Sequence, residues 1–246
     1  MRKVLTTAIL AGLLIAVEGC HAGGGTQSPS EAAAGAGIAA RVPANSPSDV
    51  APATTEGSAA QADSRPVLVC FGDSLTAGKG TDGGQSYPDY LQGDLDKLGY
   101  RYRVDNQGVS GDTTKDGLER LPDVMALHPA VVVVEFGGND GLRGLPIEES
   151  RANLDEIVGT LKRAGIHVAI AGITLPPEYG QDYIAKFDET YRLLAKKYDV
   201  PMLPFLLKGV YGVPGMMQAD ETHATAKGNM VVARNVVSLV TPLLKK

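Results

Sequence analysis

From Pro66 onward, short apolar runs alternate with longer amphipathic segments, and this alternation is the strongest constraint on the fold. The runs are apolar continuously rather than at every second position, which is typical of strands covered on both faces. The predicted strands cover residues 66–71, 102–109, 130–136, 167–173 and 200–205. The predicted helices cover residues 86–99, 113–128, 147–165, 183–199 and 226–244. Such an order predicts an α/β domain at residues 66–246, with a parallel sheet wrapped by helices.

The N-terminus has the features of an export signal. Two basic residues precede an apolar segment at residues 4–17, which is short for a membrane span. A small residue then directly precedes Cys20, an arrangement that resembles a bacterial lipoprotein cleavage site at which this cysteine is acylated. Glu18 departs from the small or apolar residue usual at that place. The alternative is ordinary cleavage after Ala22, which would give a soluble exported protein.

Residues 1–19 are therefore predicted to be a lipoprotein-type signal peptide, and residues 20–65 a disordered tether. The tether is rich in Ala, Gly, Ser, Thr and Pro and cannot bury enough apolar surface to offset the entropy of ordering. We expect a protein held on a membrane through Cys20, facing the periplasm or the cell exterior, or else a soluble periplasmic or secreted one. Cys70 lies in an apolar run and is predicted to pack in the core, with a disulfide to Cys20 as the alternative.

The charge pattern argues against one class of partner. The formal net charge is −5, and no block of basic residues rises above the background. The sequence therefore predicts no nucleic-acid partner. It does not indicate an oligomeric state.

Polar, glycine-rich segments follow several predicted strands. They lie at residues 72–80, 106–114 and 136–144, and an acid–histidine pair follows the fifth strand at residues 220–223. Ligands of parallel α/β sheets bind outside the carboxyl ends of the strands. We therefore expect the reactive side chains of these segments to meet at one edge of the sheet.

Ser74 directly follows the first strand, and two interpretations compete for it. It is either a nucleophile, or it and Asp73 merely cap a helix. A serine nucleophile needs a base, and His223 lies three residues after Asp220. That spacing lets the carboxylate hold the imidazole Nδ1–H and leaves Nε2 for Ser74. The alternative is that Asp220 caps the last helix and His223 lies on the surface.

Three groups are candidate donors to the negative oxygen that forms during acyl transfer. They are the backbone N–H of Ser74 at a helix start, the backbone N–H of Gly111, and the side-chain amide of Asn139. Glycine lets its backbone approach a ligand closely. The alternatives are an ordinary turn glycine at Gly111 and an Asx turn at Asn139.

Four sequence blocks, taken together, resemble those of the SGNH hydrolases, also called the GDSL family. They read FGDSLTAG, GVSGDTT, VEFGGNDGLRG and DETH, in the family's order and spacing. The resemblance covers residues 66–246 and is near the branch of bacterial thioesterase I/lysophospholipase L1 and arylesterases. It implies a flavodoxin-like three-layer α/β/α sandwich with a central five-stranded parallel sheet. It also implies a serine hydrolase of carboxylic esters or thioesters that needs no metal or organic cofactor.

The resemblance further implies roles for individual residues. Ser74 would be the nucleophile, His223 the base and Asp220 the group that orients it, while the oxyanion donors would be those proposed above. Ala224 stands where the family usually has a proline that stiffens the turn. Other polar residues of the blocks are predicted to be hydrogen-bonding supports rather than proton-transfer groups, namely Asp73, Asp140 and Glu135.

The segments after the third and fourth strands are predicted to flank an acyl pocket. Its candidate apolar wall is Leu142, Leu145, Ile147, Leu175 and Pro176. Aryl and short-chain esters, acyl thioesters and lysophospholipids are all compatible with these residues. Two further alternatives are a surface-tethered binding lipoprotein without activity and an esterase of acetylated glycans.

Overall fold

A computed structural model of the chain describes residues 63–246. The predicted signal peptide, Cys20 and the tether up to residue 62 lie outside these described residues. The strands are β1 (Val67–Gly72), β2 (Arg103–Gly108), β3 (Val131–Glu135), β4 (His167–Ala171) and β5 (Met202–Leu203). The α-helices are α1 (Ser74–Ala77), α2 (Tyr87–Lys97), α3 (Thr114–Ala126), α4 (Gly138–Leu142), α5 (Ile147–Arg163), α6 (Gln181–Tyr198) and α7 (Ala226–Val240).

The strands form one parallel sheet in the order β2-β1-β3-β4-β5. This is the flavodoxin-like order of doubly wound sheets, as predicted. Around the sheet, α2 packs against α7, α3 packs against α5, and α5 packs against α6. No described helix combines the length and the apolar character that crossing a membrane requires.

The central strands are buried on both faces. Every residue of β1 and β3 is buried, and Leu68 pairs with Val131 across the two strands. Cys70 is completely buried within β1 and has the core position predicted for it. Burial raises the pKa of its thiol to about 12, so Cys70 is an inert packing residue.

Most element boundaries differ from the predictions by one or two residues, and three differences are more informative. The fifth strand is only two residues long, at Met202–Leu203 instead of residues 200–205. The last helix ends at Val240, and residues Thr241–Leu243 form a 3₁₀ turn that contains a proline, which cannot donate a backbone hydrogen bond. The short helices α1 and α4 have no counterpart among the predicted helices, because one turn carries too few residues for an amphipathic pattern.

The strand order determines where a ligand can bind. Strand β2 lies on one side of β1 within the sheet, and strand β3 lies on the other. The loops that leave the carboxyl ends of β1 and β3 therefore run in opposite directions and diverge. Ser74 follows β1, Gly111 follows β2 and Asn139 follows β3. All three therefore lie at the carboxyl edge of the sheet.

Candidate active site

Ser74 is the first residue of α1 and is 9% exposed. Asp73 is the N-cap of this helix, and its Oδ1 accepts a hydrogen bond from the Leu75 N–H at 3.0 Å. The strand can turn sharply here because Gly72 has no side chain; a Cβ there would overlap Thr76 and Glu135. Asp73 therefore caps the helix, and Ser74 is presented at its start, where its role as a nucleophile stays a prediction.

Ser74, His223 and Asp220 form one chain of hydrogen bonds. The Nε2 of His223 lies 2.8 Å from the Oγ of Ser74, although the two residues are 149 positions apart in the sequence. The Nδ1 of His223 lies 2.7 Å from Oδ2 of Asp220. His223 is 7% exposed, and the N-cap of α7 is Thr225, so the alternative of a helix-capping Asp220 and a surface histidine is wrong.

The Asp220 carboxyl is held in its charged form. Burial opposes this, but the hydrogen bond from His223 and those from the backbone N–H groups of His223 and Thr222 outweigh it and lower the Asp220 pKa to about 2. A charged carboxylate at Nδ1 selects the imidazole tautomer whose Nε2 can take a proton from Ser74.

The turn that carries His223 is tied down on both sides of Ala224. The carbonyl of His223 accepts from the Gln218 N–H at 2.8 Å, and the N–H of Thr225 donates to Met216 at 2.9 Å. The carbonyl of Ala224 also accepts from the Gln218 side chain at 2.8 Å. Hydrogen bonding thus holds this turn in place where the family pattern has proline.

The three candidate oxyanion donors all line one cavity. Within residues 63–246, the backbone N–H groups of Ser74 and Gly111 donate no hydrogen bond to the protein. Gly111 has a φ of 93°, a conformation that favours glycine, so it is also a turn glycine. Asn139 makes no Asx turn: its Nδ2 donates to the Asp112 carbonyl at 2.8 Å and to Asp73 Oδ2 at 3.1 Å. Both hydrogens of the Asn139 amide are therefore engaged. To donate to an oxyanion as well, Asn139 must share the hydrogen that it donates to Asp73.

A layer of buried polar groups lies directly beneath Ser74. The Oε2 of Glu135 accepts from the Thr76 hydroxyl at 2.7 Å and from the Asp73 N–H at 3.4 Å. Burial raises the pKa of Glu135 well above its usual value and so favours the neutral form of this carboxyl. Burial also raises the Asp73 pKa to about 6, although the N–H of Leu75 acts in the opposite direction.

Asp140 supports the turn after β3. Its Oδ2 accepts from the Thr114 N–H at 2.9 Å, and its Oδ1 accepts from the Thr114 hydroxyl at 2.6 Å and from Ser150 at 2.9 Å. These contacts connect α4 to the starts of α3 and α5. Neither Asp140 nor Glu135 contributes to the lining of the cavity.

The cavity beside Ser74 holds about 220 Å³ of free space. Leu142, Leu175 and Pro176 line it as predicted. Leu145 and Ile147 do not, and this part of the prediction is wrong. Ile147 starts α5 and is buried in the core, whereas Leu145 lies in the exposed loop before it.

Sequence reasoning missed much of the apolar wall. The missed apolar residues are Leu75, Ile173, Phe205, Leu207 and Tyr211. Phe205, Leu207 and Tyr211 lie in the loop after β5, at the same sheet edge as the other loops. Applying the carboxyl-edge rule to the weak fifth strand would have found them. The polar rim of the cavity is formed by Lys79, Glu221 and Thr222.

The fold and site define a class of protein: a doubly wound α/β domain with a Ser–His–Asp arrangement at the carboxyl edge of its sheet. Residues 70–231 match the GDSL-like Lipase/Acylhydrolase family, and the chain belongs to this family. The resemblance seen in the four sequence blocks is thereby confirmed.

Several characterised proteins are similar to this chain. Esterase TesA of Pseudomonas aeruginosa is 42% identical over 178 residues, covering 72% of this chain and 89% of the relative. Thioesterase 1/protease 1/lysophospholipase L1 of Escherichia coli is 37% identical over 178 residues, covering 72% of this chain and 84% of the relative. The crystal structure of AlinE4, an SGNH-hydrolase family esterase, is 41% identical with a TM-score of 0.62, covering 72% of this chain and 94% of that one.

Proposed function

We propose that this protein hydrolyses carboxylic ester and thioester bonds through an acyl intermediate on Ser74. The observation that carries the proposal is the hydrogen-bonded chain from Ser74 to His223 to Asp220 at the floor of an apolar cavity. Membership of a lipase/acylhydrolase family, and relatives named esterase and thioesterase, support the same reaction.

In the first half of the reaction, His223 Nε2 takes the proton of Ser74 as Oγ attacks the carbonyl carbon. The oxygen of the tetrahedral intermediate becomes negative beside the unpaired N–H groups of Ser74 and Gly111, which stabilise it. The carbon–oxygen or carbon–sulfur bond then breaks, and His223 returns its proton to the departing alcohol or thiol. The acyl group remains on Oγ.

In the second half, a water molecule takes the place of the leaving group. His223 removes a proton from this water as its oxygen attacks the acyl carbon, and the same backbone donors bind the second oxyanion. When the bond to Ser74 Oγ breaks, His223 protonates that oxygen. The carboxylic acid is released and the free enzyme is regenerated.

The walls of the cavity indicate the kind of acyl group. Leu142, Leu175 and Tyr211 present apolar surface, which favours an acyl chain over an acetyl group on a glycan. Lysophospholipids, aryl esters and acyl thioesters share this feature, and a chain-length series of 4-nitrophenyl esters and acyl-CoAs ranks them. Release of acetate from an acetylated glycan at a higher rate than from any of these would favour the glycan esterase instead.

The decisive test of the reaction is Ser74→Ala. We expect this variant to lose nearly all turnover of 4-nitrophenyl esters and all labelling by a fluorophosphonate probe, which reacts covalently with activated serines. Ser238→Ala, an exposed position on α7, is the matched control and should behave as wild type. Unchanged turnover in Ser74→Ala would refute the proposal. A wild-type protein that neither turns over esters nor labels would be the inactive binding protein.

We also infer that the protein is exported and anchored to a membrane by acylation of Cys20. The positive start, the apolar segment and the small residue before the cysteine support this inference. Radiolabelled palmitate should be incorporated into wild type and into Cys70→Ala, but not into Cys20→Ser. Cys70 is the matched control because it is buried in the folded domain. Absence of label from wild type would favour a soluble exported protein.

A further inference from the structure

The loop at residues 109–113, here called the oxyanion loop, carries the Gly111 N–H into the cavity. Gly111 has a φ of 93° and no Cβ, and within the loop a single turn hydrogen bond, from the Asp112 N–H to the Val109 carbonyl at 3.2 Å, restrains its peptide groups. An oxyanion donor works only when it already points at the position where charge develops. Contacts from outside the loop therefore help to fix this direction.

Helix α4 contacts the oxyanion loop at two consecutive carbonyl groups. Arg143, directly after α4, donates from its guanidinium to the Gly111 carbonyl at 2.7 Å. Asn139 donates from its amide to the Asp112 carbonyl at 2.8 Å. The two residues are four positions apart and therefore lie on one face of the helix, and the N–H of Arg143 continues the helix by bonding to the Asn139 carbonyl at 3.1 Å.

A second arginine holds the same loop by a different group. Arg120 on α3 pairs with the Asp112 side chain at 2.6 Å. That contact anchors the side chain of Asp112 and does not bond to either peptide group of Gly111. Among the described residues, Arg143 is the one whose side chain bonds to Gly111 itself.

We propose that Arg143 is a positioning residue for the oxyanion hole. It acts together with Asn139 as a two-point clamp that fixes the backbone of Gly111, so that the Gly111 N–H faces the carbonyl oxygen of the substrate. The proposal rests on the proposed esterase function and on Gly111 as an oxyanion donor. Arg143 does not line the cavity, so it acts through Gly111 and not by touching the substrate.

The proposed clamp requires a side chain at position 143 that can donate a hydrogen bond to the Gly111 carbonyl. Arginine presents several N–H groups in a rigid plane, whereas lysine presents one flexible ammonium that is more strongly hydrated. Lysine should therefore hold the carbonyl in part, and an apolar side chain of similar length should not hold it at all. Because Arg143 is exposed, none of these changes opens a cavity in the core.

The test compares Arg143→Met and Arg143→Lys with wild type, on a 4-nitrophenyl ester of short chain length. Complete loss of an oxyanion donor lowers kcat by about a hundred- to a thousand-fold, so loosening one should lower it by about tenfold. We expect this loss in kcat for Arg143→Met with KM unchanged, an intermediate kcat for Arg143→Lys, and a parallel slowing of fluorophosphonate labelling. Added ethylguanidinium should restore part of the kcat of Arg143→Ala.

Arg163→Met is the matched control, since Arg163 pairs only with groups on the exposed face of α5. It should keep the wild-type kcat. Unchanged kcat in Arg143→Met would overturn the proposal, and so would a rise in KM without loss of kcat. A kcat loss that tracks a fall in Tm, with no recovery in the lysine variant, would overturn it too. Ser74→Ala in the same assay separates the two hypotheses, because retained activity there refutes the esterase function itself.

Discussion

Two regions near Ser74 each contain a carboxyl group, and they shift the pKa of that group in opposite directions. In the catalytic turn (residues 220–223), the side chain of Asp220 is 46% exposed, and hydrogen bonds from His223 and Thr222 lower its pKa to about 2. In the buried polar layer (Asp73, Thr76 and Glu135), Glu135 is completely buried, and burial raises its pKa well above the usual value.

The difference shows that closeness to the nucleophile does not define a catalytic carboxylate. To orient His223 and stabilise its protonated form, Asp220 must be ionised, and solvent access together with N–H donors keeps it so. Glu135 instead serves as a neutral partner of the Thr76 hydroxyl under α1, where an unpaired charge would be costly. In the proposed reaction the first carboxyl orients the base, whereas the second supports the helix that carries Ser74.

The largest effect that separates the two regions is expected for His223→Ala. Removal of the base should lower kcat by about a million-fold, as the loss of a triad histidine does elsewhere. Folding should be retained, because the turn is also held by the Gln218 side chain and the backbone bonds around Ala224. Ester turnover and the circular dichroism melting curve check both parts. A kcat within tenfold of wild type would contradict the assignment of His223.

A smaller loss is expected for Asp220→Asn. The amide keeps the shape of the side chain but no longer selects the correct imidazole tautomer, and kcat should fall by about ten-thousand-fold. Glu221→Gln, next to it on the cavity rim, is the matched charge-removing control and should change kcat far less. Steady-state kinetics at saturating substrate measures the difference. Equal losses in the two variants would mean that charge near the cavity, and not the orientation of His223, is what matters.

In the buried polar layer, the expected effect is on stability and on its pH dependence. Glu135→Ala leaves the Thr76 hydroxyl without its acceptor and should lower the free energy of unfolding by about 1–3 kcal/mol. Burial raises the pKa of Glu135 in the folded protein, so the protonated group favours the folded state at low pH. This contribution to the free energy of unfolding is lost as pH rises through the folded-state pKa.

Glu135→Gln, an uncharged isostere, should therefore show a shallower fall of Tm above about pH 7 than wild type. The pH is chosen above the raised pKa of Asp73, whose own contribution has the same sign and is complete by then. Asp220 has the opposite sign, since its lowered pKa stabilises the fold above pH 3.8 and that contribution disappears toward pH 2. Parallel Tm profiles for wild type and Glu135→Gln would show that Glu135 is not held neutral.

The smallest effect concerns the acyl cavity. Leu142→Ser removes apolar surface from its wall, and KM for a long-chain ester should rise by about three- to tenfold relative to a short-chain ester. Leu145→Ser is the matched control, because Leu145 lies three residues further along the chain with similar exposure but outside the cavity. Kinetics across the chain-length series provides the comparison. The same shift in both variants would place the acyl chain elsewhere.

Much of the fold could be predicted because a strand that is buried on both faces is recognisable in the sequence. The continuous apolar runs gave strands β1 and β3 nearly to the residue, since both faces of a central parallel strand are covered. Strand β5 was overestimated because a short edge strand carries little such pattern. The triad was predictable because its members stand at strand ends or three residues apart.

The acyl cavity was predicted only in part, and the reason is geometric. Leu142 and Leu145 are three residues apart and equally apolar, but Leu142 is the last residue of α4 and lines the cavity, whereas Leu145 lies in the loop beyond it. Ile147 was misplaced because it starts α5 and packs into the core. Side-chain direction in a loop depends on backbone angles, which a local sequence pattern does not specify.

The sequence by itself determined the order of the elements and the sheet edge at which Ser74, His223 and Asp220 meet. These follow from hydrophobic periodicity and from the chemistry that each residue type can perform. Only the tertiary structure decided that the pKa of Glu135 is raised and that of Asp220 lowered, that both amide hydrogens of Asn139 are engaged, and that Arg143 bonds to the Gly111 carbonyl. Such properties depend on burial and on distances between residues far apart in the chain, and both exist only once the chain has folded.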